Sequence, residues 1–567
     1  MQVPDLVDAV YDRLEAEPAR PVWIATMPRA TAAQRAQASQ ATPDLPLRGL
    51  TFAVKDNIDV AGLPTTAGCP AFAYQPTQSA PVVERLEAAG AVVIGKTNMD
   101  QFATGLVGTR TPYGACSSVY DARYISGGSS SGSAVAVASG LVDFALGTDT
   151  AGSGRVPAAF NNLIGLKPTR GLLSTRGVVP ACRSLDCVSI FTRTTSQARQ
   201  VLAAARGFDA ADPYSRQPRP GEGAAPWVGG PFRFGVPPGR QLEFFGDDAA
   251  ADLYAAAIQR LRDIGGEPIE IDLARLREAA DLLYAGPWVA ERLAAIEPFM
   301  RDHAADMDPV VREIIAGGAA YSAVDLFSGQ HRLQALKRAA DAQWAGVDVL
   351  MLPTTGTTYT IDQVQADPIR LNANLGYYTN FVNLLDMAAL AIPAGFRPNG
   401  LPFGITFMGP AFTDDALLAL ADAYAGTGRS VAPPGCVAVA VVGAHLSGQP
   451  LNWQLTSAGG RLLRTARTAP GYRLYALAGG PPARPGLVRE ATFDGPGLEV
   501  EVWAIPEDAF GRFVAAVPPP LGIGTAILDS GDAVTSFICE PYAIAGAAEI
   551  TAFGGWRAYL ASASATA

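Results

Sequence analysis

Apolar and polar positions alternate along this chain in two different rhythms. A helical spacing covers about Asp5 to Glu17, an apolar run PVWIA follows, and an Ala/Gln-rich helix is expected near Thr31–Gln40. Next come TFAVKDNID, PVVERLEAAGAVVIGKTNMDQF and a serine-rich region, in which strand-like runs alternate with helical ones. That order predicts an α/β core with helices on both faces of a mixed central sheet. Further along, GVDVLMLPTTGTTYT reads as a strand ending in a Pro/Thr/Gly loop, GYYTNFVNLLDMAALAIPAGF as a helix followed by a strand, and LPFGITFMGPAFTD as a strand and turn. These segments are expected to close the sheet and line a pocket; Tyr377 and Asn380 are in a position to touch substrate, but packing is the reading adopted for them.

Pro and Gly cluster between Gly426 and Gly435, and a domain boundary is expected there, dividing the chain into residues 1–430 and 436–560. Beyond it, VAVAVVGAH, YRLYAL, LEVEVWAI, GIGTAIL and AVTSFICEP carry strand signals, with helices at about Pro506–Ala516 and near Trp556. The alternation in LEVEVW predicts a half-buried strand, and the whole a small α+β, barrel-like domain.

With 567 residues, 49% apolar and 17% charged, the composition is that of a soluble globular chain large enough for a substantial core and a second domain. No run of ~18 uncharged apolar residues occurs, and Met1–Arg20 carries five acidic residues, so neither a membrane span nor a signal peptide is expected. A net charge of −10 and a pI near 5.0 argue against nucleic acid as a ligand. Cys69, Cys116, Cys182, Cys187, Cys436 and Cys539 show no metal-ligand spacing and fit reduced thiols in the cytoplasm. No metal and no organic cofactor is implied.

The candidate chemistry concentrates between Ser126 and Pro157. Two loops, GGSSSGS (Gly127–Ser133) and GTDTAGSGR (Gly147–Arg155), flank a small-residue helix, SAVAVASG, and a buried strand, VDFAL (Val142–Leu146). The second loop is thereby placed at a strand's carboxyl end, where open α/β sheets keep their chemistry. Neither loop has the Gly-Lys-Ser/Thr ending of a phosphate-binding loop, so the serines become candidate nucleophiles. A serine nucleophile needs a base, yet His303, His331 and His445 all lie far along the chain. Lys55, directly after an apolar strand-like run, is the other candidate, provided that burial keeps it neutral. Lys96, after AVVIG, reads as a structural ion pair or loop anchor.

In these motifs the chain resembles the amidase signature family, whose catalytic unit is Ser-cisSer-Lys. Lys55 in VKDNIDV matches the lysine, Ser129 in GGSSSGS the serine held by a cis peptide, and Ser153 in GTDTAGSGRVPAAF the nucleophile, 24 residues after Ser129. The resemblance implies a relay in which Lys55 takes a proton from Ser129 and Ser129 one from Ser153. Backbone N–H groups around Thr150, Ala151, Gly152 and Ser153 would form the oxyanion hole. Ser130, Ser131 and Ser133 read as helix-capping residues.

The segment PACRSLDCVSIF is similar to the allophanate hydrolases in particular, a subgroup that acts on urea-1-carboxylate. In LLYAGPWVAERLAA, Tyr284 and Arg292 match the positions that bind the substrate carboxylate there, although the residues alone equally allow Arg292 to pair with Glu291. The C-terminal segment resembles that subgroup's γ-glutamylcyclotransferase-like domain. It is assigned the breakdown of N-carboxycarbamate in some members, with a histidine that His445 matches; a structural or oligomerising role is the rival reading. Glu540 is either a helper or a surface acid. The resemblance implies urea degradation in nitrogen metabolism, with ammonia and carbon dioxide as net products and a small anionic amide as the ligand. It also leaves room for a homodimer and a functional link to a urea carboxylase. Two other readings stay open: an amidase for a malonamide-like substrate, and a glutaminase component of a transamidation complex.

Overall fold

The computed structural model describes residues 3–16, 20–42, 44–218, 230–425, 436–479, 481–490 and 492–565. They form two compact units, one of residues up to Ala421 apart from Gly230, and one of residues from Asp422 onward together with Gly230. The boundary expected at 426–435 lies outside the described residues.

The first unit is built on an eleven-stranded sheet. Its order is Trp23–Thr26, Val92–Thr97, Thr51–Lys55, Phe144–Asp149, Cys187–Thr192, Ile164–Lys167, Met387–Phe396, Pro402–Pro410, Val349–Pro353, Phe232–Val236 and Gly266–Glu270. The sheet is mixed: Thr51–Lys55 runs parallel to both of its neighbours, whereas Phe144–Asp149 is antiparallel to Cys187–Thr192. Its central strands are buried along their whole length, as the near-continuous apolar runs TFAVK and CVSIFT require when both faces are covered. Phe52 and Phe144 stack across the parallel pair, with ring centroids 5.0 Å apart. The Ser131–Ala138 helix, made of small residues, packs closely on the Thr51–Lys55 and Phe144–Asp149 strands.

Both N-terminal helices form, at Val3–Ala16 and Arg29–Gln40. Two expectations are revised. The strand predicted at Val142–Leu146 begins at Phe144 and runs on to Asp149, so it takes in the first three residues of the second loop. The helix predicted in GYYTNFVNLLD is absent: a short helix, Arg370–Leu375, ends before it, and 376–386 is a series of irregular turns. There Asn383 donates through Nδ2 to the Asp149 and Leu185 carbonyls at 2.7 and 2.9 Å, and Asp386 adopts a positive φ of 58°. Polar side chains that bond to distant backbone compete with a helical ladder.

The second unit has a five-stranded sheet in the order Arg461–Arg467, Glu499–Pro506, Cys436–Val441, Ala533–Cys539 and Leu521–Ile527. Just past the two edge strands, Thr468 bridges Leu528, the Ala469 N–H donates to the Ile527 carbonyl at 2.9 Å and the Asp529 N–H donates to the Arg467 carbonyl at 2.9 Å. The sheet therefore closes on itself at one end, which makes it barrel-like. A three-stranded sheet, Pro485–Arg489, Tyr472–Ala476 and Ala548–Glu549, accompanies it, together with helices at Glu507–Ala515 and Trp556–Ala565. The Glu499–Pro506 strand is not half-buried but covered on both faces. Glu501 tolerates this because Arg557, the Ser447 N–H and hydroxyl, and the Trp503 indole N–H all donate to its carboxylate. No described helix is long and apolar enough to cross a membrane.

Candidate active site

Parallel register sets the first contact of the site. Val54 lies opposite Leu146, so the carboxyl ends of the two strands bring Lys55 beside Thr148. The Lys55 Nζ is 2.7 Å from the Thr148 Oγ1 and 2.7 Å from the Ser129 Oγ, and all three side chains are buried. Asn57 adds a donor to the Thr148 oxygen at 3.3 Å. Ser129 follows a cis peptide bond from Gly128. A side chain on Gly128 would fall 2.1 Å from the Asp100 Oδ2, so only glycine fits there.

Ser153 is 3% exposed, and its hydroxyl donates to the Gly105 carbonyl at 3.5 Å. Among the described residues no direct hydrogen bond joins it to Ser129. Both serines nonetheless border one segment: Gly105 and Gly128 lie against the same Asp100 carboxylate. The loop that carries Ser153 is held by Asp149, which accepts from the Gly152 and Gly154 N–H groups at 3.0 Å each and from Arg155 Nε and Nη2 at 2.9 Å each. The N–H groups expected to form an oxyanion hole are not equally available. The Gly152 N–H is committed to Asp149, whereas those of Thr150, Ala151 and Ser153 have no protein acceptor among the described residues. Thr150 is fixed from below by its hydroxyl, which donates to Asp186.

Burial pulls the Lys55 ammonium down to about 7, against the opposing pull of Asp100, Asp186 and Asp149. Burial likewise pushes the Asp186 carboxyl up to about 6, with the Thr150 hydroxyl opposing. For Asp149 burial also acts upward, but Arg155 outweighs it and the group ends below its usual range.

Arg292 occupies the second turn of the Trp288–His303 helix, which follows Pro287, and Tyr284 ends the preceding Leu273–Tyr284 helix. Arg292 is 2% exposed; its Nη1 donates to the Thr104 Oγ1 at 3.0 Å and its Nη2 to the Tyr284 hydroxyl at 3.1 Å. Glu291 is not its partner, since that carboxylate accepts from the Ser184 N–H and hydroxyl at 2.7 Å each. Arg292 forms no ion pair among the described residues, and its Nε has no partner. The residue after Thr104 is Gly105, so one short segment touches both Arg292 and Ser153. Tyr284 also lines a cavity of about 590 Å³, and so do Tyr377 and Asn380, for which the sequence favours packing over substrate contact.

Other expectations fare unevenly. Lys96 forms a buried ion pair with Asp56 at 3.2 Å and anchors the Pro64–Thr65 loop, as its sequence context suggests. Ser130, Ser131 and Ser133 do not cap the helix through their side chains. They tie it to neighbouring strands and loops through the Thr148, Asn98 and Leu146 carbonyls. In the second unit His445 bonds through Nε2 to the Gln454 Oε1 at 2.9 Å and stacks on Phe537, with centroids 5.0 Å apart. Burial holds its imidazole below the ordinary histidine range, with the Gln454 bond opposing. Glu540 is exposed. Thr148, Asp149, Thr104 and Gly105 contact the candidate residues and are not singled out by the motifs; for Asp149 the available signal is an acid and an arginine inside one Gly-rich loop, GTDTAGSGR.

Sequence comparison matches the Amidase family over residues 5–418 and the Allophanate hydrolase C-terminal domain over residues 437–561. Urea amidolyase of Saccharomyces cerevisiae is 44% identical over 98% of this chain. This chain spans about a third of that relative's length, 32%. The solved structure of a Kluyveromyces lactis allophanate hydrolase superposes with a TM-score of 0.71 at 42% identity, covering 99% of this chain and 97% of the other. A glutamyl-tRNA(Gln) amidotransferase component from Natronomonas pharaonis is 33% identical over 66% of this chain and 95% of its own length.

Proposed function

This chain belongs to the amidase family, and from that membership we propose that it hydrolyses the terminal amide of allophanate through an acyl-enzyme on Ser153. The observation that carries the choice of substrate is Arg292, a buried guanidinium that no carboxylate of the protein meets in an ion pair among the described residues, Asp186 and Glu291 acting on it only through space. A buried cation that no carboxylate touches directly is better compensated when a ligand brings one into hydrogen-bond contact. Arg292 together with the Tyr284 hydroxyl would take the carboxylate of the substrate in charge-assisted hydrogen bonds. Relatives described as urea amidolyase and allophanate hydrolase support the same reading.

Neutral Lys55 acts as the base. With one amine hydrogen donated to the Thr148 Oγ1, its lone pair is available to the Ser129 hydroxyl. Ser129 passes its proton to Lys55 and takes one from Ser153, whose oxygen adds to the amide carbon. The Thr150, Ala151 and Ser153 N–H groups receive the developing oxyanion. Ser153 meets Ser129 when substrate replaces the long contact to Gly105, since catalytic hydrogen bonds commonly tighten only in the complex. Collapse expels the terminal nitrogen as ammonia, protonated by way of Ser129. Water then cleaves the acyl group and leaves N-carboxycarbamate, which yields a second ammonia and two carbon dioxide. We assign this to a cytoplasmic enzyme of urea degradation, with a functional link to a urea carboxylase. Its catalytic unit is assigned to residues 1–430 and its second domain to residues 436–560.

Ammonia release from allophanate, malonamide, glutamine and urea, measured side by side, tests the reading. Allophanate should be turned over best, and Arg292→Gln should raise KM for allophanate by about 10- to 100-fold with little change for malonamide. Equal rates on allophanate and malonamide in the unaltered protein would sink the assignment. Glutamine turnover above both would favour the transamidation reading instead.

A further inference from the structure

The turn after the Arg370–Leu375 helix holds a side chain that the proposed reaction has not used. Asn380 lines the same cavity as Tyr284, and its Oδ1 is buried without a hydrogen-bond partner. Two nearby asparagines on that cavity are committed: the Asn372 Oδ1 accepts from the Leu106 N–H at 2.8 Å, and the Asn374 Nδ2 donates to the Tyr359 hydroxyl at 2.8 Å. A buried amide oxygen left without a donor is costly, so its retention at a cavity wall calls for a ligand that supplies one.

Backbone holds the amide in place. The Asn380 N–H donates to the Gly376 carbonyl at 3.1 Å, and a side chain on Gly376 would fall 2.6 Å from the Asn380 amide atoms. Thr379, the preceding residue, lies against the nucleophile loop: a side chain on Gly152 would fall 2.5 Å from its Oγ1. This turn therefore touches the Ser153 loop through Thr379 and the Tyr284 cavity through Asn380.

We propose that Asn380 is a specificity-determining residue whose Oδ1 accepts a hydrogen bond from the bridging N–H of a ureido carboxylate. The proposal rests on the allophanate reading. With the carboxylate on Arg292 and Tyr284, and the amide carbon at Ser153, two kinds of N–H remain on the substrate. The terminal one leaves as ammonia. The bridging one lies between the two held ends, and it alone separates allophanate from malonamate, which carries a methylene at that position. A site that accepts from a substrate N–H rejects the analogue that lacks it, because its own acceptor then stays unpaired.

The test is ammonia release by the full-length chain from allophanate and from malonamate, for the unaltered protein, Asn380→Ala and Asn380→Ser. Both variants should lower kcat/KM for allophanate about tenfold or more and leave malonamate within about twofold, so that the preference between the substrates shrinks. An equal loss on both, or an unchanged preference, would overturn the inference, and either variant suffices if the other does not fold. No turnover of allophanate by the unaltered protein would instead overturn the underlying function.

Discussion

Lys55 sits where burial does what the proposed base would require. A lysine in water holds its proton well above neutrality and cannot serve as a base, but the dry end of the Thr51–Lys55 strand brings this one to about 7. The sign follows for both rate and stability. The base form exists above that value, so kcat/KM for amide hydrolysis should rise with pH through about 7 and level off above it. Between about 7 and the ordinary lysine range the unfolded chain binds a proton that the folded chain does not, so this group favours the folded state increasingly as pH rises through that window. A rate profile flat from well below to well above neutrality would remove Lys55 as the base. At this scale the sequence is informative for residues inside contiguous motifs: Lys55, Ser129 and Ser153 can be named from short strings. Thr148 cannot, because its contact with Lys55 depends on which two strands lie side by side and in what register. Gly152 looks like a free donor from its motif alone, since no local rule says that a loop glycine N–H will turn back onto Asp149.

Among the elements, the loop from Asp149 to Arg155 has the most to lose. Its conformation rests on one buried carboxylate that binds two loop N–H groups and a guanidinium, with Arg155 reaching on to the Thr379 carbonyl at 3.2 Å. Removing one partner of a buried ion pair leaves the other charge uncompensated, at a cost of about 3–5 kcal/mol. Asp149→Asn should therefore lower the urea midpoint markedly and reduce kcat more than it changes KM, because the oxyanion donors lose their fixed positions. A variant with unaltered stability and turnover would show that the loop is held by other means. The depressed pKa gives a matching pH signature: Asp149 adds stability above the ordinary carboxylate range, and that contribution disappears as acid protonates the folded state. The helices and strands of the core are readable from their apolar spacing, although the alternation in LEVEVW marks a strand without revealing that both of its faces are covered. The turns at 376–386 are not, because GYYTNFVNLLD has enough apolar residues for a helix while Asn383 is drawn off to the Asp149 and Leu185 carbonyls, far away in the chain.

For the molecule as a whole, the question is how the two units divide the chemistry. Lys55, Ser129, Ser153 and Arg292 all belong to the first unit, and His445 to the second, where its ring stacks on Phe537 and meets Phe513 edge-on at 5.5 Å. Removal of that ring should cost about 1–3 kcal/mol of packing in the second unit. Because the folded imidazole takes up a proton less readily than the unfolded one, the unaltered protein should also lose stability as pH falls through the ordinary histidine range, and His445→Ala should lose less there. The first ammonia depends on none of these contacts, so its initial rate of release from allophanate should stay within about twofold in His445→Ala. Carbon dioxide followed in the same reaction separates the two roles proposed for the second unit. Carbon dioxide that keeps pace with ammonia leaves His445 as a packing residue, whereas carbon dioxide that lags behind an unaltered first ammonia gives it a part in decomposing N-carboxycarbamate. Collapse of the first ammonia itself would contradict the division, since it would mean that cleavage of the terminal amide requires the second unit.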